Sequence, residues 1–195
     1  MFSKLPNLLT WLRILLIPLL VGVFYAPPDW LGEHNRNLTA TLIFSFAAIT
    51  DWLDGYLART LNQGSSFGAF LDPVADKLMV STALITLVWL GRMEGFIAVI
   101  IIGREIAISA LREWMAQIGR SRSVAVSFIG KVKTFDQMAA IILLLYHDEF
   151  LGLSMLAIGT YLVWLAAILT LWSMAYYLKK AWPAIAESEA AESDS

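Results

Sequence analysis

The sequence predicts an all-α integral membrane protein of six transmembrane helices with its active site at the cytoplasmic rim, and the balance of apolar and charged residues indicates this fold class. Hydrophobic residues make up 58% of the 195-residue chain and charged residues only 15%, whereas about 25% charged residues is usual in a soluble domain. A small soluble protein needs more charge than this to keep its surface hydrated. The chain has no cysteine, which excludes a disulfide scaffold and a thiolate zinc site. The net charge of −2 gives no general reason to expect a nucleic-acid partner.

Six segments are candidate membrane spans, since a helix that crosses the hydrocarbon needs about 20 mostly apolar residues; the fifth of them is short. In chain order they are Leu8–Tyr25, Leu38–Leu57, Val74–Leu90, Gly95–Met115, Val132–Tyr146 and Phe150–Leu178. An alternative interpretation of the first segment is a cleaved signal peptide. Against this interpretation, Phe24 stands where the cleavage pattern requires a small residue. A retained helix is therefore favoured. The spans form one membrane domain over residues 1–182, and the acidic, Ser- and Ala-rich segment 183–195 is expected to be a disordered cytoplasmic tail.

The distribution of basic residues predicts the orientation in the membrane. With six spans, both termini lie on the same side. Of the 14 Lys and Arg residues, only Arg36 and Arg92 fall on the opposite side. Because positively charged segments stay in the cytoplasm, the termini and the loops after the second and fourth spans are predicted to be cytoplasmic.

Four aspartates interrupt the apolar pattern where the second span ends and the third begins. Asp51 and Asp54 are three residues apart, and Asp72 and Asp76 are four apart, so each pair lies on one helix face. Carboxylates at membrane depth are costly and usually face a functional cavity. Since the connection between the two spans is short, the helices are predicted to be antiparallel neighbours whose four carboxylates meet at the cytoplasmic rim.

Four carboxylates so close together repel one another unless they are protonated or neutralised. Two divalent cations would cancel the charge, and all-oxygen ligation selects hard ions such as Mg²⁺ or Mn²⁺. A pair of metals that clamps a phosphoryl group is a known catalytic arrangement. Nearby, small residues leave room for a ligand and one arginine is placed to bind a phosphate: Gly55, Ala58, Gly68 and Arg59.

Single residues of this group have plainer interpretations. Asp72 and Pro73 are a common pair at a helix start. Arg59 and Lys77 are long enough to extend their charges to the membrane surface. These interpretations do not explain the whole group.

The segment Asp51-Trp52-Leu53-Asp54-Gly55-Tyr56-Leu57-Ala58-Arg59, followed by Gly68, Asp72 and Asp76, matches D-x2-D-G-x2-A-R-x8-G-x3-D-x3-D without a departure. In this motif and in its six predicted spans, the chain resembles the CDP-alcohol phosphotransferases. The resemblance implies transfer of a phosphatidyl or similar group from a CDP-linked donor to an alcohol, with release of CMP, by a homodimer.

The resemblance also implies roles for the motif residues. Two divalent cations, Mg²⁺ or Mn²⁺, would be bound by Asp51, Asp54, Asp72 and Asp76. Asp76 would in addition be the base that deprotonates the acceptor hydroxyl. The CDP group would be surrounded by Gly55, Ala58, Arg59 and Gly68.

The acceptor has to be inferred from the rest of the chain. Arg104 and Arg112 in the fourth span are eight residues apart, which is about 80° around a helix, so one cavity can contact both. Arg104 lies near mid-span, where an unpaired cation is costly, and its neighbour Glu105 is expected to point about 100° away. With Lys131 and Lys133 at the start of the fifth span, these arginines suit a dianionic phosphate. The lysines alone are also explained by the orientation rule.

Further segments resemble the phosphatidylglycerophosphate synthase branch of the family. They are Pro6–Thr10 with Arg13, Arg104-Glu105, Ala110–Trp114, and Gly130–Thr134 with Gln137. The branch implies CDP-diacylglycerol as donor, sn-glycerol 3-phosphate as acceptor, phosphatidylglycerophosphate as product, and the bacterial inner membrane as location. Arg104, Arg112, Lys131 and Lys133 would hold the acceptor phosphate. Candidates for further donor contacts are Asn7, Thr10 and Arg13.

Other functions remain open from sequence. Within the family, the alternatives are a phosphatidylinositol-type synthase and a cardiolipin synthase that uses phosphatidylglycerol. From another class, an ion-coupled transporter also places acids and bases within the membrane. Here, however, the acids cluster at one rim and the opposite half of the spans is almost uncharged.

Overall fold

Six α-helices and one short β-hairpin make up the computed structural model, which describes residues 5–27, 29–61, 66–119 and 128–193. Within these ranges, the side chains at positions 5–7, 52, 54–61, 66–67, 69, 128–131, 184 and 186–193 lie outside the description. The elements are α1 (Leu5–Tyr25), α2 (Glu33–Leu61), α3 (Ser66–Trp89), α4 (Gly95–Gln117), α5 (Phe128–Tyr146), β1 (Glu149–Phe150), β2 (Leu153–Ser154) and α6 (Met155–Ser193). The predicted all-α class is confirmed.

The helices that carry the aspartates are longer than the predicted spans. Helix α2 continues to Leu61 and α3 begins at Ser66, whereas the predicted spans end at Leu57 and begin again at Val74, so the connection between the two helices is shorter than predicted. Asp72 and Pro73 lie inside α3, and their interpretation as a helix start is therefore wrong.

The β-hairpin shifts the start of the last helix from the predicted Phe150 to Met155. Strands β1 and β2 pair antiparallel, with Phe150 opposite Leu153. The connecting residues Leu151 and Gly152 have φ values of 53° and 77°, as a two-residue hairpin turn requires. At the helix start, the Ser154 hydroxyl accepts a hydrogen bond of 3.2 Å from the Ala157 N–H, which is an N-cap interaction.

At its other end, α6 continues to Ser193. The predicted disorder of segment 183–195 is therefore wrong for the described part of that segment. Alanine and glutamate, which are frequent there, are strong helix formers. Extending an existing helix also avoids the cost of nucleation.

The core is formed where the helices pack side by side. Helix α1 contacts α2 and α3, α2 contacts α5, α4 contacts α6, and α5 packs along α6. The last pair approaches closely at Gly159, where an added Cβ would lie only 2.8 Å from Leu144 Cγ. Leu84, Ile101 and Leu144 are completely buried in this core.

The outer surface of the bundle is apolar. Large hydrophobic side chains are exposed on every helix, among them Leu15, Phe46, Ile85, Val99, Phe135 and Trp172. Two stretches of the described chain, Leu8–Tyr25 and Met155–Pro183, are long and apolar enough to cross a membrane. Extended apolar surfaces of this kind mark contact with lipid or another protein, and closed helical bundles satisfy their backbone groups in lipid.

Polar contacts join the loops at the end of the bundle where α2 begins and α3 ends. Arg92 donates to the Leu145 carbonyl at 2.9 Å and to Asn37 Oδ1 at 2.7 Å. Asn37 in turn donates to Asp148 at 3.2 Å, and His34 lies 2.6 Å from the same carboxylate. Burial lowers the pKa of the Arg92 guanidinium. Arg92 therefore has a structural role at the end of the bundle opposite the aspartates.

Candidate active site

Helix α1 supports the aspartate cluster formed by α2 and α3. Arg13 Nη1 lies 2.8 Å from Asp51 Oδ1, and this arginine is almost completely buried. The Thr10 hydroxyl donates a hydrogen bond to Asp72 Oδ1. Two of the predicted donor contacts on α1, Thr10 and Arg13, thus contact carboxylates of the motif.

Three of the four motif aspartates are brought together. Asp51 interacts electrostatically with Asp72 and with Asp76, as the prediction of antiparallel neighbours requires. Arg13 lies between them, since it pairs with Asp51 and lines a small cavity with Asp76. Its positive charge partly offsets the mutual repulsion of the carboxylates.

The remaining motif residues are placed only in part. Helix α2 includes the backbone of the next motif residues, but their side chains, and the surroundings of the glycine, lie outside the description: Asp54, Gly55, Ala58 and Arg59. Gly68 is buried in α3. Among the described side chains no group of three potential ligands is arranged as a metal site, so the four-aspartate metal set stays a prediction.

A second charged cluster lies between α4, α5 and α6. Arg104 is 7% exposed, and its Nη2 donates to Ser173 Oγ at 3.1 Å. The fully buried Tyr177 ring lies 5.8 Å from the Arg104 guanidinium and 5.4 Å from that of Arg112, distances at which a cation and an aromatic ring attract. The two arginines therefore share one aromatic neighbour.

Glu105 links this cluster to α5. Its Oε1 lies 3.1 Å from Arg104 Nη1, and the same oxygen accepts a hydrogen bond from Lys133. The expectation that Glu105 points away from Arg104 is wrong, because both side chains are long enough to turn toward each other. Lys133 is 1% exposed, whereas the side chain of Lys131 lies outside the described residues, as does that of Asn7.

A small cavity of about 60 Å³ lies where the two clusters meet. Asp76, Lys77 and Ser81 of α3 line it on one side. Glu105 of α4 and Gln137 of α5 line it as well. The proposed base and the carboxylate that holds Arg104 and Lys133 therefore face the same space.

Sequence reasoning missed part of this arrangement. Tyr177 and Ser173 lie in an apolar span where no spacing distinguishes them from ordinary core residues. The sequence shows Glu105 only as a neighbour of Arg104, whereas its contact with Lys133 joins two different helices, α4 and α5. The buried charges themselves, Arg104 and Lys133, were the available signal.

The family model for CDP-alcohol phosphatidyltransferase matches residues 3–172. The chain belongs to the CDP-alcohol phosphatidyltransferase family. Members of this family generally depend on divalent cations.

Several similar members of the family share the name CDP-diacylglycerol--glycerol-3-phosphate 3-phosphatidyltransferase. The protein of that name from Escherichia coli (strain K12) is 48% identical over 187 residues, which cover 91% of this chain and 94% of the relative. The protein from Salmonella choleraesuis (strain SC-B67) has the same identity and coverage. That from Pseudomonas fluorescens is also 48% identical, over 92% of this chain and 91% of its own length.

Proposed function

We propose that the chain transfers the phosphatidyl group of CDP-diacylglycerol to sn-glycerol 3-phosphate, giving phosphatidylglycerophosphate and CMP. The observation that carries the proposal is the single cavity that Asp76 and Glu105 both line. It places a candidate base beside a cluster of buried cations. The names of relatives that are 48% identical along nearly the whole chain support the same donor and acceptor.

The metal ligands in this proposal are Asp51, Asp54, Asp72 and Asp76. Carboxylate oxygens suit Mg²⁺ or Mn²⁺, and the described members of the set already lie within electrostatic range of one another. Two bound cations would supply Lewis-acid polarisation of the donor pyrophosphate and stabilise the departing CMP. The CDP group would lie against Gly55, Ala58, Arg59 and Gly68.

The chemical step needs one proton acceptor. Asp76 accepts the proton of the terminal hydroxyl of glycerol 3-phosphate. The hydroxyl oxygen forms a bond to the β-phosphorus of CDP-diacylglycerol, and the bond from that phosphorus to the bridging oxygen breaks. The electron pair leaves with CMP. Holding both substrates beside Asp76 gives the step the advantage of proximity.

The acceptor phosphate would be bound by Arg104, Arg112, Lys131 and Lys133. Arg112 is well suited to this role, because its guanidinium lies 5.4 Å from the Tyr177 ring and a guanidinium matches two phosphate oxygens at once. Arg104 and Lys133 already share the Glu105 carboxylate. Glu105 thus compensates two buried cations.

The proposed setting is the bacterial inner membrane, crossed six times, with both termini cytoplasmic and two copies forming a homodimer. The apolar exterior of the bundle supports the membrane setting. The placement of Arg92 and Asp148 at the end opposite the aspartates supports one polar rim on each side. The domain would span residues 1–182, followed by the segment 183–195.

The experiment that tests the acceptor is a screen with purified protein and labelled CDP-diacylglycerol. Glycerol 3-phosphate, inositol, inositol phosphate, serine and phosphatidylglycerol are offered separately, and the lipid products are separated. The proposal expects transfer to glycerol 3-phosphate above all others. Preferred transfer to inositol phosphate or to phosphatidylglycerol would assign the chain to another branch of the family.

A further inference from the structure

Gln137 is a buried polar residue to which the proposed reaction gives no role so far. It lies on α5 and is 4% exposed. Its Oε1 has no hydrogen-bond partner within the part of the chain that the structure describes. Buried amide oxygens are nearly always paired in functional proteins, so an unpaired one calls for a ligand that donates a hydrogen bond.

The position of Gln137 identifies where that ligand lies. Its side chain lines the same cavity as Asp76, Glu105 and Ser81. Thr134, one helical turn earlier on α5, lines it too. The amide therefore faces the space between the candidate base and the carboxylate that pairs with Lys133.

We propose that Gln137 recognises the secondary hydroxyl of the acceptor, next to the hydroxyl that attacks phosphorus; this inference rests on the proposed function. In an acceptor whose terminal hydroxyl reaches Asp76 and whose phosphate reaches the buried cations, the middle carbon lies between those two ends. Its hydroxyl can donate to the Gln137 amide oxygen. Gln137 is thus a specificity-determining residue that distinguishes a chiral polyol phosphate from a simple hydroxyalkyl phosphate.

The same geometry predicts that acceptors without this secondary hydroxyl are used less efficiently. An acceptor without the secondary hydroxyl leaves the buried amide unpaired, and a site built to hydrogen-bond a hydroxyl strongly rejects such an analogue. The opposite enantiomer places its hydroxyl on the other side of the middle carbon. We therefore expect both 3-hydroxypropyl phosphate and sn-glycerol 1-phosphate to be used at least about tenfold less efficiently than sn-glycerol 3-phosphate.

The test compares kcat/KM for sn-glycerol 3-phosphate and 3-hydroxypropyl phosphate in the full-length protein and in Gln137→Met. Methionine fills a similar volume but has no amide. The variant should lose about tenfold or more with sn-glycerol 3-phosphate and change less than about twofold with 3-hydroxypropyl phosphate, so that its preference disappears. A merely structural role would lower both values together.

Thr170→Val is the matched control, because Thr170 is also buried with an unpaired oxygen in the described structure but does not line this cavity. It should keep the wild-type preference. A preference that survives in Gln137→Met overturns the inference and leaves the proposed function standing. If the wild-type protein transfers to neither phosphate, the proposed function itself fails, and the inference with it. If Gln137→Met does not fold, the wild type alone tests the inference. Equal use of sn-glycerol 3-phosphate and 3-hydroxypropyl phosphate by the wild type would then overturn it.

Discussion

Lys133 and Glu105 form an ion pair that joins α5 to α4 in the interior of the bundle. The lysine is 1% exposed, and the same Glu105 oxygen lies 3.1 Å from Arg104 Nη1. One carboxylate therefore compensates two cations that would be costly to bury alone. The cluster assigned to the acceptor phosphate is preorganised by a residue of opposite charge.

The first prediction concerns the stability of this pair. Glu105→Gln removes the compensating charge and should lower the free energy of unfolding by about 3–5 kcal/mol, the usual cost of breaking one partner of a buried pair. Thermal unfolding in detergent measures the loss. Replacing both partners, in Glu105→Gln combined with Lys133→Met, should recover part of it. Equal stability of the wild type and Glu105→Gln would mean that the pair contributes nothing.

The second prediction concerns Thr10, whose hydroxyl bonds to Asp72. If Asp72 binds a metal, Thr10 is a positioning residue, and loss of such a partner commonly weakens metal affinity 10- to 100-fold. Thr10→Val should therefore raise the Mg²⁺ concentration needed for half-maximal activity by about that factor. Thr10→Ser, which keeps the hydroxyl, should restore it. An unchanged Mg²⁺ requirement in Thr10→Val would contradict the role.

The third prediction separates the two roles assigned to Asp76. As general base, it should contribute about 10²- to 10⁴-fold to turnover. Asp76→Asn should lose this factor and retain substantial binding of CDP-diacylglycerol. The check is a turnover assay beside a binding assay on the same preparation. Should donor binding collapse together with turnover, Asp76 acts mainly as a metal ligand.

The fourth prediction tests the acceptor phosphate at Arg112. Lysine keeps the charge but loses the planar fork and its contact with the Tyr177 ring. Arg112→Lys should reduce kcat/KM for glycerol 3-phosphate about 10- to 150-fold, as expected for a lost contact of about 1.5–3 kcal/mol. Affinity for CDP-diacylglycerol should hardly change.

Lys180→Ala is the control for Arg112, since Lys180 is an exposed cation on α6 that lies 5.9 Å from the Tyr176 ring. It should be close to neutral. If Arg112→Lys and Lys180→Ala behave alike, the phosphate does not bind at Arg112.

The main features of the fold could be predicted because helix length, apolar content and the aspartate spacing are local properties of the sequence. The exact residues at which helices begin and end are harder to predict from the sequence. The start of α6 at Met155 depends on the hairpin turn at Leu151 and Gly152, and apolar residues such as Phe150 and Leu153 suit a strand as well as a helix. The early start of α3 likewise places Pro73 inside a helix, against its usual preference for the first turn.

In the candidate site, too, some contacts are predictable from the sequence and others are not. The motif spacing predicted that Asp51, Asp72 and Asp76 converge, and they do so in the structure. The contacts of Thr10 with Asp72 and of Lys133 with Glu105 join residues far apart in the chain. Helical periodicity describes one helix at a time, so it cannot show which side chains meet across a packed bundle.

The most direct test of the account follows CMP release and incorporation of labelled sn-glycerol 3-phosphate into lipid in the same reaction, with purified protein, CDP-diacylglycerol and Mg²⁺. The account predicts one CMP for each labelled lipid, no reaction in EDTA, and recovery when Mg²⁺ or Mn²⁺ is added back. Asp51→Asn should be inactive although folded. Full turnover in chelator, or CMP release without label entering the lipid, would contradict a metal-dependent transfer to glycerol 3-phosphate.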